Sequence, residues 1–476
     1  MQNIDKFYID GAWVSPESTT TMPIMNPSTN SQIGSLTLGN INDVNKAVAA
    51  ARRAFESYSQ SSKAERLALL NALLEQTHAH QEELAQAISA EMGAPITLSR
   101  NEQARCAIGH LKAFIQDLEA LNEETTLSNG DLIWREPIGV CGLITPWNWP
   151  INQIALKVIP ALAVGATVVL KPSEHTPLSA QIYAKIIDKA GFPKGVFNLV
   201  HGDGETVGRG LSAHEDIAMM SFTGSTRAGR LVSIDAAQTI KRVALELGGK
   251  SPNLVFADAD LETLVPASVF NCFSNSGQSC NAPTRMLVER SCYDKVIALA
   301  KQAGQAQQVN MADIEGKHIG PLFDKIQYDR VQTLIQSGID QGATLLCGGL
   351  GKPEGFEAGW FVKPTIFTDV HDDMRIVREE IFGPVMVIIP FDSEEEAIRI
   401  ANDTEYGLAA YIQSGDAQRI RRVAKQLRAG TIQINAVGPD YGSPFGGYKQ
   451  SGNGREGGRF GLDDYLEIKA LPAFEK

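Results

Sequence analysis

Between residues 140 and 246 short β-rich runs alternate with helical stretches, and few folds accept that pattern. Val140–Ile144, Ala166–Leu170, Phe197–Val200 and Met219–Phe222 read as strands. Leu178–Ala190 reads as a helix that Gly191-Phe192-Pro193 stops, and Thr206–Leu211 as a short helical piece. Repeated strand-then-helix units predict an α/β domain built on a mostly parallel sheet. Ligands on such sheets bind beyond the carboxyl ends of the strands. Thr145, Lys171, His201 and Thr223 all fall at those ends.

A second α/β region begins near Gly248. Its clearest strands are Asn253–Phe256, Arg285–Glu289, Val385–Phe391 and Thr431–Asn435, with helices expected over Tyr293–Ala306, Asp324–Gly338 and Glu394–Asn402. Upstream, Val44–Phe55 and Lys63–Met92 carry apolar residues at helical spacing, and Asn42 is the expected cap of the first. Two segments fit neither region, Glu119–Trp134 and Tyr465–Leu471. Leu132-Ile133-Trp134 and Leu466-Glu467-Ile468 read either as edge strands open to another subunit or as a local hairpin.

A chain of 476 residues divides into more than one domain. A formal net charge of −12 without a basic run argues against nucleic acid as a partner. The most apolar stretch, Val158–Leu170, is broken by Pro160 and Gly165 and is too short to cross lipid, so no membrane is expected. The N-terminus opens without an apolar signal segment. Six cysteines, at 106, 141, 272, 280, 292 and 347, form no paired motif, which points to free thiols in a reducing cytoplasm. No zinc pattern is present, and no metal is expected.

Cys280 is the best candidate nucleophile. Cys106, Cys272 and Cys347 stand in apolar or helical surroundings, Cys141 lies in a strand, and Cys292 has no obvious partner. Gly277 and small polar neighbours let the backbone turn closely around a ligand at Cys280, whose amide could face an oxygen on the bound carbon. Glu246, at the end of the strand-like run Lys241–Leu245 and before Gly248-Gly249, is the candidate base, which needs a pKa raised by partial burial. Asn148, crowded by Pro146 and two tryptophans, could donate its amide to a tetrahedral oxyanion. Taken locally, each has a plainer reading: a structural thiol, a solvated turn residue, an asparagine in a rigid turn. Lys157 reads as an exposed helix lysine, with electrostatic assistance as the alternative.

A dinucleotide site is indicated by Lys171-Pro172-Ser173-Glu174 after a strand. Lys171 could donate to ribose or phosphate oxygens, and Glu174 could accept from adenosine-ribose hydroxyls, which favours NAD while leaving NADP possible. The usual Rossmann fingerprint is incomplete: Gly202-Asp203-Gly204 begins it, but Val207 takes the last glycine position and Gly208 falls one residue late. Phe222-Thr223-Gly224-Ser225 is the better pyrophosphate candidate, at a strand-to-helix junction. Gly248-Gly249-Lys250-Ser251 imitates the end of a P-loop, but Ala244 stands where its first glycine belongs.

These motifs, in this order, resemble those of the aldehyde dehydrogenase superfamily, specifically its NAD(P)-dependent non-phosphorylating members. The resemblance spans nearly the whole chain and includes Pro146-Trp147-Asn148, Glu246-Leu247-Gly248-Gly249-Lys250, Gly277-Gln278-Ser279-Cys280, Glu379-Glu380-Ile381-Phe382-Gly383-Pro384 and Ser443-Pro444-Phe445-Gly446-Gly447-Tyr448-Lys449. It implies a Rossmann-like cofactor domain over 1–117 and 138–247, an α/β catalytic domain over 248–447, and a small β oligomerisation arm with the C-terminal tail over 118–137 and 448–476. Homodimers or homotetramers would follow. It also implies that Cys280 attacks an aldehyde while Asn148 and the Cys280 amide hold the oxyanion, and that Glu246 activates water to hydrolyse the thioester to an acid. Thr145, Pro146, Trp147, Lys171, Ser173, Glu174, Gly204, Gly208, Phe222, Thr223, Gly224, Ser225 and Leu247 would line the cofactor, with Glu380 on the nicotinamide ribose and Phe382 near the ring. The substrate tunnel would take Trp149, Gln153, Leu156, Ser279, Asn281, Val437 and Tyr441. No arginine stands among these, which disfavours a dedicated grip on a dicarboxylate semialdehyde. Rival readings are a coenzyme A-acylating enzyme, disfavoured by the intact Glu246; a cysteine esterase, which lacks a placed histidine; and a non-enzymatic protein on the same fold.

Overall fold

The alternation over 140–246 folds as the parallel middle of an eight-stranded sheet in the computed structural model, which describes residues 2–474. Its order is Gly452–Asn453, Arg242–Glu246, Met219–Thr223, Val140–Ile144, Thr167–Lys171, Phe197–Leu199, Phe7–Ile9 and Ala12–Val14. The chain enters at Val140–Ile144, moves outward through Thr167–Lys171 to Phe197–Leu199, then returns to the other side for Met219–Thr223 and Arg242–Glu246. That reversal opens a crevice at the carboxyl ends of Val140–Ile144 and Met219–Thr223, where such sheets hold ligands.

Register brings the predicted residues level. Ile144 pairs with Lys171 and with Phe222, and Thr223 pairs with Glu246. Thr145, Lys171, Thr223 and Glu246 therefore share one edge, although up to about a hundred residues separate them in sequence.

Residues 252–434 supply a seven-stranded sheet in the order Thr344–Cys347, Thr365–Thr368, Val385–Phe391, Arg285–Glu289, Pro252–Val255, Ala409–Gln413 and Thr431–Ile434. All its pairings are parallel except that of Thr344–Cys347. Apolar side chains pack on its faces, Leu254, Leu287, Phe367 and Val387 among them. Ahead of the loop that carries Cys280, Leu261–Phe273 forms a helix capped by Asp260.

Leu132–Pro137 pairs with both Leu466–Leu471 and Glu124–Thr126, making a separate three-stranded antiparallel sheet. The two segments that fitted neither region thus pair mainly with each other. Residues beyond 447 do not all go there, since Gly452–Asn453 joins the eight-stranded sheet beside Glu246. The outer ends of the chain at 1 and 475–476 lie outside the described residues.

Local expectations changed in three places. The first helix spans Ile41–Tyr58 and its cap is Asn40, not Asn42, because Asn40 and Asp43 close a reciprocal capping box. Lys63–Met92 is two helices, Lys63–Ala79 and Gln81–Met92, broken at His80 without a glycine or proline to announce it. Lys157, expected on an exposed face, is fully buried because the helix Pro150–Val164 is covered on every side. Among the described residues no helix is long and apolar enough to cross a membrane, and no group of three or more His, Cys, Asp or Glu could hold a metal ion.

Candidate active site

Cys280 stands where two cavities meet. One, of about 610 Å³, lies over the crevice and is walled by Pro146, Trp147, Asn148, Thr223, Gly224, Ser225, Leu247, Glu380 and Phe382. The other, of about 500 Å³, is walled by Trp149, Leu156, Asn281 and Tyr441 among others. Among the described residues, Gln153 and Cys280 alone belong to both walls. A thiol at such a junction can reach a small molecule from one side while a larger ligand approaches from the other. Cys280 is partly exposed; Cys106, Cys141, Cys272 and Cys292 are buried.

The loop that presents Cys280 is strained in a way that ties it to the crevice. Asn275, Ser276 and Gly277 take successive left-handed conformations, with φ of 54°, 57° and 72°. Non-glycine residues rarely adopt that region, and they persist in it where surrounding contacts over-determine the backbone. Here the contacts are polar and buried. Gln278 Oε1 accepts from the Phe323 amide at 2.8 Å, and Gln103 Nε2 donates to Asn275 Oδ1 at 3.0 Å. A Cβ at Gly277 would lie 2.1 Å from the Gly383 carbonyl oxygen. Gly277→Ala should therefore destabilise the protein by roughly 2–4 kcal/mol and separate the thiol loop from the segment carrying Glu380 and Phe382. A lowered unfolding midpoint checks this.

Asn148 is held by the same network. Its carbonyl accepts from Asn275 Nδ2 at 3.0 Å and Gln103 Nε2 at 3.3 Å, while its own Nδ2 donates to the Gln278 carbonyl at 3.0 Å. An amide so fixed keeps its second N–H in one direction, and Asn148 forms part of the wall of the crevice cavity.

Glu246 is buried, and neither carboxylate oxygen has a hydrogen-bond partner. Burial raises its pKa well above the usual carboxylate range, and the nearby Glu456 carboxylate adds to that, with Lys157 and Arg455 opposing. Lys157 is ion-paired with Glu456. Glycines make this crowding feasible: a Cβ at Gly249 would meet the Cys280 carbonyl oxygen at 2.3 Å, and one at Gly446 would meet Glu246 Oε1 at 2.8 Å. The Glu246 loop thus packs directly on the thiol's backbone. The Cys280 pKa is raised by burial first, then by the Glu380 and Glu246 carboxylates.

The crevice fits a dinucleotide. Buried hydroxyls of Thr145 and Thr223 have no partner, as expected where a ligand would supply one. Ser225 caps the helix Thr226–Ala236 by accepting from the Ala228 amide, so the remaining first-turn amides of that helix point outward beside Gly224. Glu380 Oε1 accepts from the Gly249 amide at 3.0 Å, and burial pushes its carboxyl up to about 7. A Cβ at Gly248 would approach Glu380 Oε2 to 2.5 Å. Phe382, at φ 58°, sets its ring edge-on to Trp147 at 5.6 Å.

Other predicted residues stand nearby rather than in the wall. Lys171 Nζ donates to Glu174 Oε2 at 3.0 Å and to the Pro172 carbonyl at 3.1 Å; Ser173 is buried beside them. A Cβ at Gly208 would lie 3.7 Å from Lys171 Cδ, whereas Gly204 faces open space. The Phe222 ring backs Gly224. At the second cavity, Ser279 Oγ accepts from Trp149 Nε1 at 2.8 Å and so orients that indole without entering the wall. Val437 departs from expectation. It is 71% exposed and outside the cavity wall, because the left-handed Asn435-Ala436 turn folds it back to bridge Ile434.

Several site residues escaped the sequence reading. Thr226 and Arg227 follow directly on the Phe222-Thr223-Gly224-Ser225 motif and could have been added from it. Ile326, Gln327, Arg330 and Tyr406 on one side, and Glu102, His110, Asn152, Gln433 and Asp440 on the other, carry no local signal. Glu456, the buried partner of Lys157, lies about three hundred residues away in the chain.

A model of the aldehyde dehydrogenase family matches residues 13–471. The chain is 51% identical over 476 residues to a Pseudomonas protein named 3-succinoylsemialdehyde-pyridine dehydrogenase, covering all of both chains. It is 44% identical to a putative aldehyde dehydrogenase of Staphylococcus haemolyticus, again over all of both. Among solved structures it is similar to an aldehyde dehydrogenase from Bartonella henselae, with TM-score 0.98, 49% identity and full coverage of both chains. It is also similar to a cysteine-to-alanine mutant of aldehyde dehydrogenase C from Pseudomonas syringae complexed with NAD+ and octanal. There the TM-score is 0.97 and the identity 48%, covering 99% of this chain and 97% of that one.

Proposed function

Since the chain belongs to the aldehyde dehydrogenase family and is an oxidoreductase that converts aldehydes to carboxylic acids, we infer that Cys280 is its nucleophile, Glu246 its general base and Asn148 its oxyanion donor. The observation that carries this reading is the shared position of Cys280 in the walls of both cavities. The dinucleotide belongs in the crevice, with its pyrophosphate at Gly224, Ser225 and the following helix start, and its nicotinamide end between Glu380, Phe382 and Cys280. NAD is preferred because the Glu174 carboxylate would repel a 2′-phosphate, and Lys171 beside it leaves NADP admissible.

When bound, the dinucleotide supplies the acceptor for the aldehyde hydrogen and its electron pair. The rest falls to the chain. The Cys280 thiol gives its proton to water, its sulfur then bonds the carbonyl carbon as the C–O π pair moves onto oxygen, and that oxygen accepts from Asn148 Nδ2 and the Cys280 amide. Glu246 takes a proton from the water whose oxygen then replaces sulfur on the acyl carbon, releasing the acid and restoring the thiol. A carboxylate with both oxygens free and a raised proton affinity is suited to that transfer. Lys157 does not touch the reacting atoms; paired with Glu456, it tempers the negative charge around Glu246.

Two expectations arise here. Glu380→Gln weakens the anchor on the cofactor and should raise KM for NAD roughly tenfold with a smaller change in the aldehyde's KM, read from initial-rate kinetics. Activity should rise with pH. Burial holds both Cys280 and Glu246 protonated above their usual ranges, and each must lose a proton to act, so both limits lift in the same direction. A rate that falls from neutral to alkaline pH would contradict the assignments.

The three-stranded sheet Glu124–Thr126, Leu132–Pro137 and Leu466–Leu471 is the proposed oligomerisation arm, and dimers or paired dimers are the expected state. Its support is the open edge at Leu466–Leu471, where Ile468 is 69% exposed. The proposed division into a cofactor domain, a catalytic domain and this arm is supported by the separate eight-, seven- and three-stranded sheets, although Gly452–Asn453 of the tail pairs in the first of them, and a reducing cytoplasm suits six free thiols. Sedimentation of the intact protein tests the assembly.

A further inference from the structure

A buried amide from a distant segment meets the Asn148 backbone. Gln103 is 1% exposed and ends the π-turn Ser99–Gln103, which the Ala104 amide closes on the Ser99 carbonyl at 2.9 Å. Single π-turns recur at functional sites, since the inserted residue re-aims the side chains beside it. This one is pinned from outside. Gln81 Nε2 donates to the Arg100 carbonyl at 3.1 Å, and the Arg100 guanidinium pairs with Glu82 and Glu315. Gln103 is thereby a fixed point for whatever it touches.

Its neighbours leave the amide one orientation. Asn275 Nδ2 donates to two backbone carbonyls, Asn148 at 3.0 Å and Gln278 at 3.3 Å, so Asn275 Oδ1 must turn away from them. There it accepts from Gln103 Nε2 at 3.0 Å, and the same nitrogen donates to the Asn148 carbonyl at 3.3 Å. The Gln103 amide nitrogen carries one N–H for each acceptor. Gln103 Oε1 is buried with no partner, a cost that an aliphatic side chain of similar size would avoid. The use of this amide therefore lies in its donors. They arrest the Asn148 backbone and, through Asn275, the Gln278 carbonyl to which Asn148 Nδ2 donates at 3.0 Å. Those two carbonyls set where the remaining Asn148 N–H points.

We propose that Gln103 is a positioning residue for attack on the aldehyde, acting by fixing the direction of the Asn148 amide. It lies outside both cavity walls and touches no reacting atom. The proposal rests on Asn148 being the oxyanion donor and Cys280 the nucleophile. Without the Gln103 donors the Asn148 turn can drift, and a misplaced donor loses much of its hold on the developing charge.

First-turnover NADH formation by the full-length enzyme, counted per active site, tests it. Gln103→Met, similar in size but without a donor, should slow that phase roughly tenfold to a hundredfold, less than outright loss of an oxyanion donor. NAD affinity by calorimetry and alkylation of Cys280 by iodoacetamide should both stay within about twofold, because displacement at a saturated carbon creates no oxyanion. In an Asn148→Ala background, Gln103→Met should cost less than about threefold further, since no donor remains to be aimed. Gln103→Glu carries the test if the first variant does not fold. Its carboxyl, buried between two acceptors, is held protonated and keeps one O–H donor. The first-turnover rate of Gln103→Glu, relative to wild type at the same pH, should be highest in acid and fall as that proton is lost. An undiminished first turnover in Gln103→Met, or an equal loss with and without Asn148→Ala, would overturn the proposal. So would a Gln103→Glu rate that tracks wild type at every pH. An undiminished first turnover in Asn148→Ala would instead remove the oxyanion reading on which the proposal rests.

Discussion

Cys280→Ala should abolish aldehyde-dependent NADH formation, lowering steady-state turnover by roughly 10⁴-fold or more, while NAD still binds. The size follows from covalent catalysis. Without sulfur there is no tetrahedral adduct, and the fixed amide of Asn148 has no developing oxyanion to stabilise. The substitution removes one atom from a partly exposed position at the meeting of two cavities, so neither the strained Asn275-Ser276-Gly277 turn nor the crevice should collapse. Retained NAD affinity, measured by calorimetry, separates loss of chemistry from loss of fold. An unchanged steady rate would refute the assignment.

Glu246→Gln should divide the reaction in time. The first turnover should still release about one NADH per active site as a burst, because attack and hydride loss depend mainly on Cys280 and Asn148. Hydrolysis of the acyl group should then slow by roughly 10²–10⁴-fold, the usual contribution of a positioned base. Glutamine keeps the shape that packs against Gly446 and removes only the ability to take a proton. The slow phase should also lose the rise with pH assigned to this carboxylate, whose pKa burial and Glu456 raise in the native enzyme. Rapid-mixing absorbance with acyl trapping checks both points, and absence of a burst together with normal hydrolysis would assign the base elsewhere.

Much of this arrangement was legible before folding. The strand-ending residues Thr145, Lys171, Thr223 and Glu246 could be picked out because alternation of strand and helix marks the carboxyl edge of a parallel sheet. The glycines at 248, 249 and 277 signalled close approach, and the approach proved to be to Glu380 and to the backbone of Cys280 and Gly383. Lys157 was misread because helical spacing alone does not tell a helix covered on one face from one covered on all. Val437 was misplaced because a two-residue turn with left-handed backbone reversed its direction. The walls contributed by Arg330, Tyr406, His110 and Asp440 left no trace in local pattern.

Local chemistry therefore indicated the α/β class and the end of the sheet at which a ligand should lie, and it nominated Cys280 and Glu246 without excluding their plainer structural readings. Each of those depends on residues that are neighbours in the chain. The charge state around Glu246, the junction of two cavities at Cys280 and the meeting of Glu102 and Asp440 in one cavity wall were decided only by packing. They are sums over residues from distant segments, with Lys157 meeting Glu456 and His110 meeting Tyr441, and burial by many elements at once sets the dielectric in which each charge is held.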